Sequence, residues 1–320
     1  MGGNGESGSG DLRAHEWQLA ADYRHIHADQ FFFGSQQSTP PAQFFGQPII
    51  IDIHTVNFNV TYGLSDRVIL QMTVPVSRGS QSRVYPDTAR HVARAGGLGD
   101  ISLVATRWLL DPRQRTAGNV ALGLGVKTPT GRNDVRDHFF FADGSSVVHP
   151  VDQSIELGDG GWGVILQAQA FRRVASRSYA YFTGSYLVSP RNQSDVTRAP
   201  AGQPNAAVRI SVSDVYTARI GLTYGILPEQ GLSVSLGGRI DGIPWHDLIS
   251  GSDGFRRPGY VIFADPAIVL QRGPNTVTVS APVRSFVRLA SRSAITNSGG
   301  TLGSGDLAAI VVFVGYARRL

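Results

Sequence analysis

The side chains in this sequence that could do chemistry are charged groups standing at every second position beside bulky apolar neighbours. Arg219 lies between Ala218 and Ile220, Arg239 and Asp241 flank Ile240, Asp265 follows Ala264, and Arg284 follows Val283. Asp22, Arg24, Asn57, Asn59, Gln71, Lys127, Gln167 and Gln169 occupy the same kind of position. With a side-chain period of two, these residues share one face of their strands and the apolar residues share the other. The set holds five cations (Arg24, Lys127, Arg219, Arg239, Arg284) and three anions (Asp22, Asp241, Asp265). Such a face could line a wet passage with a mild preference for anionic or polar solutes, because rings of charge set pore selectivity. It could equally be a wall braced by Arg–Asp pairs. Both readings stay open at this level.

Other candidate chemistry is weaker. Asp152, Glu156 and Asp159 could offer oxygens to calcium, but their spacing matches no EF-hand loop, and a turn into the next strand is expected instead. Gly125-Val-Lys127-Thr128 lacks the preceding glycine and the following helix of a phosphate loop. The histidines show no metal-ligand spacing, and His54 has Val56 rather than a serine two residues on. Neither a metal, a cofactor nor a Ser–His catalytic pair is therefore expected, and the chain reads as a non-enzyme. The segment from Ser252 to Gly259 places Arg256 and Arg257 either at a constriction or, as expected here, in an ordered surface loop.

The elements that must position these groups are strands. From Gly97 to Gly131 two of them are joined by a polar turn at Asp111-Pro112-Arg113, and Val120, Leu122, Leu124 and Val126 alternate with Asn119, Ala121, Gly123, Gly125 and Lys127. The unit recurs to give twelve strands of about nine to eleven residues, enough to cross a bilayer when tilted. Six long connections alternate with five short turns, one of the long ones running from about Arg78 to Gly96. An even strand number with short turns at one rim and long loops at the other is the outer-membrane barrel pattern. Trp17, Tyr62, Trp108, Trp162, Tyr186, Tyr224, Tyr260 and Tyr316 stand near strand ends, where an interfacial girdle is needed. A soluble sandwich would need the alternating loop lengths by chance. The expected fold is thus all-β: a transmembrane antiparallel up-and-down barrel of about twelve strands, with long extracellular loops and short periplasmic turns.

Composition agrees. No apolar run approaches the roughly 20 residues of a spanning helix, while 38 glycines and 17 prolines suit many turns. Cysteine is absent. The net charge of +5 comes from scattered arginines, Lys127 being the sole lysine, so nucleic acid is not an expected partner. Residues 1–14 read as a flexible N-terminal segment and 15–320 as one barrel domain. The opening MGGNGESGSG has no signal-peptide pattern, so the secretion signal an outer-membrane protein requires is expected to be missing from this sequence.

Four segments carry a resemblance: Gly97-Leu-Gly-Asp-Ile-Ser-Leu, Asn119-Val-Ala-Leu-Gly-Leu-Gly-Val-Lys-Thr-Pro-Thr-Gly131, Pro150-Val-Asp-Gln-Ser-Ile-Glu-Leu-Gly-Asp-Gly-Gly-Trp-Gly163, and the closing Val314-Gly-Tyr-Ala-Arg-Arg-Leu320. In these the chain resembles the outer-membrane transporter family named for the MetA pathway of phenol degradation. The resemblance implies an outer-membrane barrel passing small, aromatic molecules; together with the charged face, the expectation is a Gram-negative channel passing small, aromatic or anionic, solutes by passive diffusion, surrounded by outer-membrane lipid and lipopolysaccharide. Such barrels end in an aromatic residue read by the assembly machinery; here Leu320 is last and Tyr316 stands nearby. In the first loop Phe31, Phe32, Phe33, Phe44 and Phe45 could form an entry site, a plug or simple packing. The alternative function is a structural or adhesive barrel with a blocked lumen whose loops bind a partner.

Overall fold

The computed structural model describes residues 12–40, 46–112, 114–198, 207–290 and 303–320. Twelve antiparallel staves follow one another in sequence and in space. They are β1 (Trp17–Phe33), β2 (Ile50–Ser65), β3 (Val68–Val84), β4 in two segments (Arg90–Leu98 and Ser102–Trp108), β5 (Gly118–Lys127) and β6 (Gly163–Ala175). Next come β7 (Ser178–Val188), β8 (Val215–Leu227), β9 (Leu232–Ile243), β10 (Gly259–Arg272), β11 in two segments (Asn275–Ser280 and Val283–Leu289) and β12 (Ser304–Arg319). β12 pairs with β1 from Gln18↔Arg319 to Phe33↔Ser304, and the sheet closes. Closure leaves no unpaired edge, a condition for crossing lipid with strands.

The period-two pattern sorts the faces as expected. Val120, Leu122, Leu124 and Val126 are exposed on the outer wall, while Asn119, Ala121 and Lys127 are buried inside. Ile220, Leu222, Leu236, Ile268, Val277 and Val279 continue the outward apolar surface around the barrel. β12, whose apolar run hides its parity, turns Phe313 and Ala317 inward and Val314 and Tyr316 outward. Along β8 the outward Tyr216 and Tyr224 are eight residues apart, roughly 20 Å along the barrel axis at the usual tilt. Trp108 departs from the girdle: it is buried in the lumen with its ring 5.8 Å from Phe171. Its neighbours Val104 and Thr106 are buried too, so strand parity places all three inside.

Two features of the connections differ from expectation. The staves reach 17 residues, and Arg78 to Gly96 is strand rather than loop: β3 and β4 run on as a long hairpin that turns at Tyr85–Ala89. Phe31, Phe32 and Phe33 likewise sit on the extended end of β1, not in a loop, and Phe44 and Phe45 lie outside the described residues. Pro75 loosens pairing, as a residue without an N–H must. β4 breaks opposite it at Gly99-Asp100-Ile101, and Gly99 N donates to the Pro75 carbonyl at 2.8 Å.

Candidate functional site

Across the middle of the lumen, strand parity assembles a polar row. Arg219 on β8 reaches over β9 to Asp265 on β10, Nε to Oδ2 2.6 Å, and Asp265 has no exposed surface. Arg239 on β9 binds Asp241 at 2.9 Å and lies over the Phe313 ring at 4.7 Å. Thr217 donates to Asp241 at 2.6 Å. Arg24 on β1 is within electrostatic reach of both Arg239 and Asp241 and donates to Thr55. Beside Arg24 on β1, Asp22 accepts from Asn59 at 2.7 Å, and Gln71 and Thr73 donate to the Asn59 carbonyl oxygen. Gln167 completes the wall on β6, packed beside Gly123. Charges that line the lumen are thus the same ones that brace it.

The extracellular half is built differently. The connection between β5 and β6 (residues 128–162) folds back into the barrel and brings Val151 and Ile155 into one apolar core. The core's other walls include Ile49 just before β2, Ile51 of β2, Ala93 and Ala95 of β4, Phe263 of β10, and Val311 and Phe313 of β12. Ile155 is 2% exposed and rests on Gly79 of β3, where an added Cβ would meet its own Cβ at 2.8 Å. Absence of a side chain at Gly79 is what admits the loop.

Asp152, beside this core, is the loop's electrostatic clasp. Arg257, from the β9–β10 connection, donates both guanidinium nitrogens to it at 3.0 Å each, and Arg198 lies 3.1 Å away. Burial pushes the Asp152 carboxyl up, but Arg257 and Arg198 outweigh it and hold the group well below the usual carboxylate range. Glu156, four residues on, has no such partner. Burial, reinforced by Asp134 and Asp152, pushes its pKa to about 8 against one opposing hydrogen bond from Val135 N and the charge of Arg132.

Three of the four segments that carry the family resemblance meet at one point. Lys127 Nζ donates to Asp100 (2.8 Å), Asp159 (2.7 Å) and the Gly161 carbonyl (2.7 Å), and Asp100 also accepts from Gly131 N at 2.9 Å. Added Cβ atoms at Gly131 and Gly158 would stand 2.4 and 2.6 Å from their neighbours. Lys127 therefore ties the break in β4 to the root of the inserted loop. Asp152 and Asp159, considered above as calcium ligands, both face cationic side chains instead.

The remaining candidates fall in separate places. Arg284 binds Gln30 and the Ala308 carbonyl and covers the buried Phe32 ring at 4.4 Å. Phe31 is buried as well, since register shifts near Ala28 upset the alternation there, while Phe33 is exposed. Arg256 is fully buried against Asp247 (2.6 Å) within its own loop, while the adjacent Arg257 reaches the inserted segment. Asp100, Ile155, Arg198 and Asp247 were missed by sequence reasoning. Only Asp100, flanked by glycine in a segment already singled out, carried a local signal.

No family model matches the chain, and no curated protein matches it. Among solved structures, the COG4313 outer membrane channel from Pseudomonas putida F1 superposes with a TM-score of 0.61 at 15% identity, over 98% of this chain and 99% of that one. The β domain of the Bordetella autotransporter BrkA gives 0.49 at 10% identity, covering 96% and 100%. A Pseudomonas aeruginosa FadL homologue gives 0.46 at 11%, covering 97% and 91%. These last two carry no weight. The first likeness, spanning nearly all of both chains, shows a shared fold.

Proposed function

We propose that this chain is an outer-membrane channel of the MetA-pathway type, passing small solutes by passive diffusion and constricted by residues 128–162. The observation that carries this reading is the charged interior of a barrel with an apolar exterior. Ionised groups inside a dry wall cost several kcal/mol each, so five cations and three anions facing one lumen suit a wet path. Arg24, Arg219 and Arg239 gather in the middle of the lumen, and that cluster favours anionic solutes. The lipid-facing wall, with Tyr316 on the last stave, suits a protein handled by the barrel-assembly machinery of a Gram-negative cell. Proteoliposome swelling tests the reading. Small organic anions should enter faster than size-matched cations, and Arg219→Ala with Arg239→Ala should shrink the difference. A barrel that inserts and admits neither class overturns it.

The apolar core around Ile155 favours one other reading: a structural or adhesive barrel that stays shut and uses its loops to hold a partner. In that case opening the loop changes solute entry little.

A further inference from the structure

The outer wall of β1 to β4 changes character within one step of its pleat. Tyr23, Val56, Val76 and Leu98 stand in register across the four staves, and the row faces outward. The next outward row, about 7 Å further along the strands, is His25, His54, Arg78 and Gly96; the one after is His27, Asp52, Ser80 and Arg94. His25 lies eight residues along β1 from Trp17, as Tyr216 lies eight along β8 from Tyr224. The polar rows therefore begin at about the level of the extracellular aromatic girdle.

These side chains are organised. The His25 and His54 rings stack at 4.5 Å, and the Tyr23 hydroxyl shares a 2.7 Å hydrogen bond with His54 Nδ1. The acidic groups lie at the other edge: Asp52 is 2.7 Å from His27 and 3.6 Å from His25, and Asp29 is 3.9 Å from His27. Among the described residues no carboxylate pairs with the guanidinium of Arg78 or Arg94; Asp137 meets only the Arg94 backbone N–H, at 2.9 Å. The two arginines are exposed diagonal neighbours on one face, a repulsive placement on its own. Gly96, which carries no side chain, lies between them on the same outward face.

We propose that Arg78 and Arg94, with His54 beside them, bind the phosphate of a phosphorylated glycolipid in the outer leaflet. Guanidinium forks match phosphate oxygens in pairs, and a shared anion removes the repulsion. The row just below, Tyr23, Val56, Val76 and Leu98, would carry the acyl chains. That continuity with the lipid-facing wall assigns a lipid rather than free phosphate. The proposal rests on the membrane reading given above.

The test uses the full chain refolded into nanodiscs of neutral phospholipid. Retention of diphosphorylated lipid A, fully dephosphorylated lipid A and inorganic phosphate is compared by native mass spectrometry. Diphosphorylated lipid A should be held at least ~10-fold more tightly than the dephosphorylated form, the scale of hydrogen bonds to a charged group. Inorganic phosphate should not be retained. Arg78→Ala with Arg94→Ala should erase the preference, while Arg288→Ala, an exposed outward arginine on β11, should leave it intact. Heat-modifiable gel migration shows whether each variant is folded. An inserted, folded double variant with wild-type retention overturns the site, as does equal binding of the dephosphorylated lipid or of free phosphate. Failure of every protein to insert contradicts the membrane reading instead.

Discussion

The middle of the lumen and its extracellular half solve different problems with different parts of the chain. In the middle, Arg219, Arg239, Asp241 and Asp265 all come from staves, and so do their partners: Arg239 and Asp241 pair along β9, Thr217 reaches Asp241 from β8, and Arg219 reaches Asp265 across β9. In the extracellular half the filling comes from a connection, residues 128–162, held by the apolar seat of Ile155 and the clasp at Asp152. A stave-borne charge is fixed by the whole closed sheet. A loop-borne plug is fixed only by the contacts at its tip and its root at Lys127, and a few of these can release it. On the channel reading proposed above, the middle row would be a permanent filter and the extracellular half a removable stopper.

The contrast is broken most strongly at the clasp. Asp152→Ala leaves Arg257 and Arg198 facing each other without their shared carboxylate, which should cost about 3–5 kcal/mol locally. Proteolysis within 128–162 should become fast while the barrel stays heat-modifiable; loss of the barrel itself would mean the two halves are not separable. Ile155→Ala, at a nearly fully buried position, should loosen the same segment by about 2–4 kcal/mol, read by hydrogen exchange. Gly131→Ala attacks the root, pushing a Cβ to 2.4 Å from the Leu157 carbonyl, and about 1–3 kcal/mol is expected in urea titrations. Asp241→Asn should do least, on the order of 1 kcal/mol, because Arg239 keeps its place over Phe313; its effect should appear in ion selectivity instead.

Acidity sharpens the comparison further. Glu156 has its pKa pushed from 4.5 to about 8, so the inserted loop binds a proton that the released loop gives up. An acid raised in the folded state contributes stability that is full below its ordinary pKa and is lost as pH climbs towards the raised one. The stopper should therefore weaken between about pH 4.5 and 8, and Glu156→Gln should flatten that dependence. Proteolysis of the segment at pH 5 and pH 8.5 in both proteins reads the difference.

The middle row was legible in the sequence because a period of two leaves no choice: once Leu122 and Leu124 face out, Ala121 and Gly123 face in. The same rule placed Arg219 and Asp265 on one face. It failed where the chain leaves the rule. Val151 and Ile155 lie in a connection, and nothing local says that Gly79, far away in sequence, leaves room for Ile155. The span from Arg78 to Gly96 looked like a loop because its outward face turns polar while its backbone stays paired. Trp108 was misplaced because a strand-end aromatic suits either a girdle or a lumen mouth, and the parity set by Val104 and Thr106 decides.

The removable stopper is tested most directly by releasing it. Asp152→Ala with Ile155→Ala removes the clasp and the apolar seat together and leaves every stave-borne charge of the middle row in place. Single-channel conductance of this variant and of the parent protein is recorded in planar bilayers, with heat-modifiable migration showing that both barrels are folded. The account predicts discrete conductance steps in the variant that are larger than those of the parent. Equal conductance in the two proteins would contradict it, because the solute path would then not pass the stopper.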